Sequence, residues 1–228
     1  MFVNAMTRRP PFDIRFQTPA CFLLLGPSGS GKTHWLLSLL RNHATYFQKP
    51  LGVVYYFYME DDKTHDKFQA IPGLKVHMMR GAPQTLEEVK ELLSRHSPDE
   101  VKTLIFDDLY NENIDYIKTL FCVTSSHLNT SIFLLGQSIF KDATLRILSM
   151  NTQYMVVFKN PRDKLTFSTL GSQVAPGRAA LVRQAIEQAT QKPHGYLLFD
   201  FTQSIPDNLR MRSNIFAHEW PITLYNVY

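Results

Sequence analysis

Gly26-Pro27-Ser28-Gly29-Ser30-Gly31-Lys32-Thr33 follows the pattern G-x-x-x-x-G-K-[ST], and its flanks give that pattern a context. Ahead of it runs the apolar stretch Ala20-Cys21-Phe22-Leu23-Leu24-Leu25. Behind it, Thr33-His34-Trp35-Leu36-Leu37-Ser38-Leu39-Leu40 reads as a helix. A strand feeding a glycine-rich turn that opens a helix is what phosphate chemistry needs. Backbone N–H groups turn inward around an anion, at a helix end whose dipole favours negative charge. Lys32 is placed to reach β- and γ-phosphates, and the Thr33 hydroxyl to ligate Mg²⁺. The segment therefore predicts binding of a nucleoside triphosphate by residues 26 to 33.

Outward from the loop, apolar runs of strand length alternate with helical patterns. Gly52 to Tyr58 is continuously apolar, so both of its faces should be covered, as in a parallel sheet. A shorter strand is expected at Lys75 to Met79. Thr85 to Leu93 has helical spacing, with Thr85 and Glu88 in a capping-box relation. Further strands are expected at Thr103 to Asp108, Ser131 to Leu135, Gln153 to Phe158 and Tyr196 to Phe201. Helices are expected from about Ile114 to Val123 and from Ala179 to Ala189. Phe12-Asp13-Ile14-Arg15-Phe16 alternates in the manner of an edge strand. The fold class is α/β: one P-loop NTPase domain over residues 1–228, with a mostly parallel central sheet and helices on both faces. Residues 1–11 read as an N-terminal extension and 217–228 as an apolar, aromatic C-terminal tail.

Composition narrows the class. The chain has 228 residues, 44% hydrophobic and 19% charged, with a formal net charge of +4. These values belong to a folded soluble domain and lean weakly towards an anionic partner. Its two cysteines, Cys21 and Cys122, have neither zinc nor disulfide spacing. No apolar run reaches membrane-spanning length and no secretory h-region opens the chain, so an intracellular, soluble protein with no membrane partner is expected.

The chemistry-bearing residues lie at strand ends. Leu104-Ile105-Phe106 leads into Asp107-Asp108: Asp107 is the candidate Mg²⁺ ligand, and Asp108 the group that orients or deprotonates the attacking water. Gln137 follows Ser131-Ile132-Phe133-Leu134-Leu135-Gly136. At the carboxyl end of a parallel strand it faces the ligand crevice and suits a γ-phosphate sensor.

Phosphate loop, Asp107-Asp108 and strand-borne Gln137, in that order, resemble the FtsK–HerA superfamily of ring-forming DNA-pumping ATPases. Gln137-Ser138-Ile139-Phe140, Ser149-Met150-Asn151, Phe158-Lys159-Asn160-Pro161-Arg162-Asp163 and Pro193-His194-Gly195-Tyr196 are similar to segments of one branch of it. That branch is the genome-packaging ATPases of Polinton/Maverick elements, adintoviruses and poxvirus-like large DNA viruses. The resemblance runs from about Phe12 to about Phe216. It implies the additional-strand type of P-loop ATPase, hydrolysing ATP with Mg²⁺ in a homo-oligomeric ring around double-stranded DNA and driving it into a preformed capsid. A capsid or portal protein is then a partner, and the site of virion assembly, nuclear or cytoplasmic, the location.

The same resemblance implies an arginine within Ser126-His127-Leu128-Asn129-Thr130, where this chain carries Leu128. In a ring such an arginine reaches a neighbour's site and neutralises transition-state charge. His127, only partly charged at neutral pH, is a poor substitute. Arg146, Arg162 and Arg178 are the alternatives, with Arg162 preferred because Asn160-Pro161 sets a rigid turn that presents it outward. Between residues 141 and 183, Lys141, Arg146, Lys159, Arg162, Lys164, Arg178 and Arg183 face only Asp142 and Asp163. That excess suits a duplex phosphate backbone. Glu60-Asp61-Asp62 reads as a solvated acidic loop. Two rival functions remain at this level: a P-loop kinase, which lacks its arginine-rich lid here, and a nucleotide-gated assembly factor with little turnover.

Overall fold

The computed structural model describes residues 4–5, 12–60, 63–109, 115–121, 127–137, 143–162 and 164–227. Among the described residues ten strands form one sheet: β1 Asn4–Ala5, β2 Cys21–Leu25, β3 Val53–Tyr58, β4 Lys75–Arg80, β5 Lys102–Asp107, β6 Thr130–Gly136, β7 Tyr154–Phe158, β8 Tyr196–Asp200, β9 Met211–Ser213 and β10 Thr223–Leu224. Their order across the sheet is β1-β10-β9-β8-β7-β2-β6-β5-β3-β4. The strands from β7 to β4 are mutually parallel, and those from β8 outward pair antiparallel. β6 lies between the phosphate-loop strand β2 and the Asp107 strand β5, the arrangement that the additional-strand type requires.

The helices are α1 Lys32–Arg41, α2 His43–Tyr46, α3 His65–Gln69, α4 Leu86–Ser94, α5 Asp115–Thr119, α6 Ala143–Met150, α7 Lys164–Val174 and α8 Ala179–Ala189. They cover both faces, and β2 shows how the sequence arranges this. Successive strand side chains point to opposite faces, and every residue of β2 is apolar and buried. Cys21, Leu23 and Leu25 enter one core cluster with Val89 and Leu93 of α4, Leu148 of α6 and Val182 and Ile186 of α8. Phe22 and Leu24 enter the other with Trp35, Leu36 and Leu40 of α1 and Phe68 of α3. Full burial of one such leucine contributes about 1.5–3 kcal/mol.

In α4, the Thr85 hydroxyl accepts the Glu88 N–H (3.2 Å) as the capping pattern predicts. Glu88 reaches back to the Gln84 N–H (2.9 Å), one residue further than the reciprocal bond of the motif.

The expected strand at Phe12 to Phe16 is absent; only Phe16 forms an isolated bridge, to Phe47. Asp13 explains the correction, because its carboxylate captures both the backbone N–H (3.1 Å) and the guanidinium (2.8 and 3.0 Å) of Arg15. That local closure competes with ladder bonding. The outer strands come instead from Asn4–Ala5 and Thr223–Leu224, within the segments read as extension and tail. The antiparallel half is pinned by a buried ion pair, Arg212 to Asp200 at 2.6 Å with both side chains almost fully buried. Of the helix expected from Ile114 to Val123, Asp115–Thr119 is helical, and Ile114, Cys122 and Val123 lie outside the described residues. Cys21 is a buried thiol whose Sγ donates to the Phe121 carbonyl (3.9 Å). Among the described residues, no helix is long and apolar enough to cross a membrane.

Candidate functional site

The carboxyl ends of the parallel strands open onto a cavity of about 890 Å³. Ser28, Gly29, Ser30, Gly31, Lys32 and Thr33 line one wall and Asp107 and Asp108 another. The loop is tied to the sheet by the Gly26 N–H, which donates to the Gly136 carbonyl (3.0 Å) at the end of β6. Gly26 admits no side chain, since a Cβ there would lie 2.6 Å from Ser30 Oγ and 2.8 Å from Phe158 Cβ. Gly31, at φ +107°, is the N-cap of α1 and offers no capping side chain. The first-turn N–H groups of α1 are thereby left to an anion.

Lys32 is only 5% exposed, and its ammonium donates to the carbonyls of Gly26 (2.8 Å) and Pro27 (3.3 Å). The Ser30 hydroxyl is buried without a hydrogen-bond partner among the described residues. Asp107 closes β5 half-buried, and its Oδ2 accepts the hydroxyl of Tyr56 from the adjacent strand β3. Burial pushes the Asp107 carboxyl above its ordinary value. The Tyr56 hydrogen bond opposes this, the Asp108 charge adds to it, and Lys32 and His65 again oppose it. Asp108 is exposed, takes a left-handed backbone (φ +52°) and donates its N–H to the Leu135 carbonyl (3.3 Å).

Among the described residues no cluster of three His, Cys, Asp or Glu side chains could hold a metal alone. The oxygen donors Thr33 and Asp107 nevertheless fit Mg²⁺, which needs few protein ligands when phosphates supply the rest.

Gln137 is half-buried beside Gly136 and is not among the cavity-lining residues. Arg162 is exposed in the turn after β7, its N–H bonded to Asn160 Oδ1 (3.2 Å), as the Asn160-Pro161 reading expects; it too lies off the cavity. Arg178 donates to the Val227 carbonyl (3.1 Å) and so holds the C-terminal segment. Arg146 lies in α6. Leu128 packs against the core, and its carbonyl accepts from Lys102 (3.3 Å) and Thr130 (2.9 Å). His127 is exposed. Of the basic stretch, Lys159 and Arg183 are exposed, and Arg183 pairs with Glu187 (3.8 Å), a counter-charge just beyond the window considered. Lys141, Asp142 and Asp163 lie outside the described residues.

Several lining residues escaped the sequence reading. Glu60 is exposed, as expected of a solvated loop, yet it lines the cavity; Asp61 and Asp62 lie outside the described residues. Tyr58 comes from β3, and Thr64, His65 and Lys67 from α3 and its N-cap. His34, Leu37 and Arg41 project from one face of α1. Their spacing of three and four residues is a helical-face signal legible in advance. Tyr56 carried none, because it sits inside an apolar run.

A phosphate loop at a helix N-terminus, with a carboxylate pair one strand beyond its neighbour, defines a P-loop ATPase. The family model of the poxvirus A32 protein matches residues 14–158. The chain belongs to that family and is an ATPase of viral genome packaging. No curated protein matches it in sequence. Among solved structures, it is similar to the genome packaging NTPase B204 of Sulfolobus turreted icosahedral virus 2. In complex with AMP that protein is 13% identical, with 85% of this chain and 96% of that chain covered, at a TM-score of 0.55. In complex with ATP-gammaS the figures are 13%, 82%, 95% and 0.51. At these identities the likeness is one of fold.

Proposed function

We propose that this ATPase couples Mg²⁺-dependent hydrolysis to the movement of double-stranded DNA into a preformed capsid, as a ring of identical copies working where virions assemble. The carrying observation is the shared cavity, in which loop residues 28–33 face Asp107 and Asp108.

In this reading the N–H groups of the loop and of the first turn of α1 cradle the β-phosphate, while Lys32 leaves the Gly26 and Pro27 carbonyls to balance β- and γ-phosphate charge. Thr33 and Asp107 would hold Mg²⁺, which when bound would neutralise phosphate charge. The Tyr56 hydroxyl donates to Asp107 Oδ2 and so orients the carboxylate that would hold the metal, a role outside the ligand set. Asp108 accepts the proton of a water as that water attacks the γ-phosphorus and the bond to the ADP oxygen breaks. Gln137, one residue past the carbonyl that anchors Gly26, reads the γ-phosphate by a small advance of the end of β6.

Leu128 is committed to packing, so the stabilising arginine comes from elsewhere, and Arg162 on its exposed turn is the candidate to enter a neighbour's site. Capsid or portal protein and duplex DNA are the partners, the latter met by the exposed basic residues between 141 and 183. The test is ATP hydrolysis by purified protein with and without duplex DNA. Stimulation by DNA, lost on Asp108→Asn together with encapsidation, supports the motor. Unchanged encapsidation in Asp108→Asn would instead make the chain a nucleotide-gated assembly factor.

A further inference from the structure

His194 is attached to the phosphate loop from outside it. Because β8 runs antiparallel to β7, its beginning rather than its end lies at the nucleotide face of the sheet, with Tyr196 opposite Phe158. The turn from α8 into β8 thus arrives beside the loop. That turn is tightly determined. Thr190 closes α8 through its N–H and hydroxyl, both donated to the Ile186 carbonyl (3.0 and 2.8 Å), and the Gly195 N–H donates to the Lys192 carbonyl (3.0 Å). A Cβ on Gly195 would lie 2.5 Å from the Ala189 carbonyl oxygen, so the chain passes where only glycine fits.

Within it His194 adopts φ +60°, a conformation disfavoured for a residue with a side chain. The imidazole so placed lies against Gly31: a Cβ there would be 3.1 Å from His194 Cβ and 3.2 Å from its Nδ1. Nδ1 is 3.4 Å from the Ser30 carbonyl. A carbonyl oxygen only accepts, so this contact requires the proton on Nδ1. The following residue braces the same region, since Tyr196 packs edge-on against Trp35 of α1 at 5.9 Å.

We propose that His194 is a positioning residue for the phosphate loop. By holding the Ser30–Gly31 peptide it keeps the N–H groups at the start of α1 converged on one point, so the loop need not be ordered by the ligand. Rigidity supplied in advance raises affinity by removing an ordering cost from binding. The effect therefore falls mainly on ATP capture: Asp107, Asp108 and Gln137 sit at the ends of β5 and β6, and the Lys32 ammonium has its own anchors in the Gly26 and Pro27 carbonyls (2.8 and 3.3 Å). The inference rests on the reading of residues 26–33 as the nucleotide loop.

The decisive substitution is His194→Gly, which removes the imidazole while relieving the left-handed backbone. Full-length protein would be compared by thermal melting, by titration with a fluorescent N-methylanthraniloyl derivative of ATP, and by kcat and KM for ATP. The expected result is a melting temperature equal to or above that of the unsubstituted chain, with Kd and KM raised about three- to tenfold, the net worth of a single hydrogen bond. kcat should stay within about threefold of its original value, since uniform binding alone is lost. His194→Asn, which tolerates the same backbone and keeps a side-chain N–H, should recover most of the affinity. Unchanged Kd in His194→Gly, or a fall in kcat at constant KM, overturns the proposal. So does an affinity loss that His194→Asn leaves unrepaired. Failure of the unsubstituted chain to bind the analogue would instead refute the nucleotide loop itself.

Discussion

Exchange of Lys32 for alanine should separate catalysis from folding cleanly. The side chain is 5% exposed and its ammonium has two protein acceptors, at 2.8 and 3.3 Å. Its removal leaves the Gly26 and Pro27 carbonyls short of a donor, and the net cost to the fold of such bonds is about 1 kcal/mol. For a domain of this size that lowers Tm by about 2–4 °C. Transition-state loss is larger. In the proposed role the ammonium meets charge growing on phosphate oxygens in a cavity walled by protein, where a preorganised donor is worth about 2.7–4 kcal/mol, or 10²–10³ in rate. A phosphate-release assay at saturating ATP, run beside a thermal melt, reads both quantities. The reasoning fails if Lys32→Ala hydrolyses ATP within about threefold of the original rate. It fails equally if activity falls only in proportion to unfolded protein.

Asp107→Asn should abolish at least about 10² of the ATPase rate, by loss of a charged metal ligand, yet stabilise the metal-free fold near neutral pH. The sign follows from burial: the folded carboxyl titrates above its unfolded value, so ionising it penalises the fold. The penalty is absent below the unfolded value and is complete once pH has risen through the folded one. Melting curves of both proteins should therefore converge on acidification, and a gap that widened in acid would refute the assignment. Asp108→Asn should leave ATP binding intact while cutting single-turnover hydrolysis about 10²–10⁴-fold, the usual worth of a positioned base. Arg212→Ala strands the buried Asp200 carboxylate and should cost about 3–5 kcal/mol in urea unfolding; a loss under 1 kcal/mol (about a surface pair's worth) would contradict the burial of this pair.

What the chain declared about itself depended on how local the cause was. The phosphate loop, the paired acids at the end of β5 and the cap at Thr85 are fixed by neighbours in sequence, and each was readable. β3 and β5 were equally plain, because strands covered on both faces need unbroken apolar runs. Phe12 to Phe16 misled because alternation was outweighed by one aspartate bonding its neighbour two residues on. Met211–Ser213 and Thr223–Leu224 are too short to show a period, and they exist by virtue of strands they pair with. The helix Lys164–Val174 hides a packing constraint: a Cβ on Gly171 would lie 2.9 Å from the Ala179 carbonyl oxygen, so a poor helix former is kept where two helices meet. In the site, Arg41 had a helical-face signal that went unused, whereas Tyr56 and His194 reach their places only through tertiary structure.

Since all the parallel strands finish at the nucleotide end, the opposite rim of the sheet is relieved of chemical duty. Gly73, in the turn that enters β4 from that far rim, has φ +74° and no atom within 4 Å of where a Cβ would stand. A cysteine there would carry a fluorescent dye at the modest cost of a strained backbone, distant from every group that handles ATP. Such a label offers a way to watch the ATPase turn over without touching its fuel.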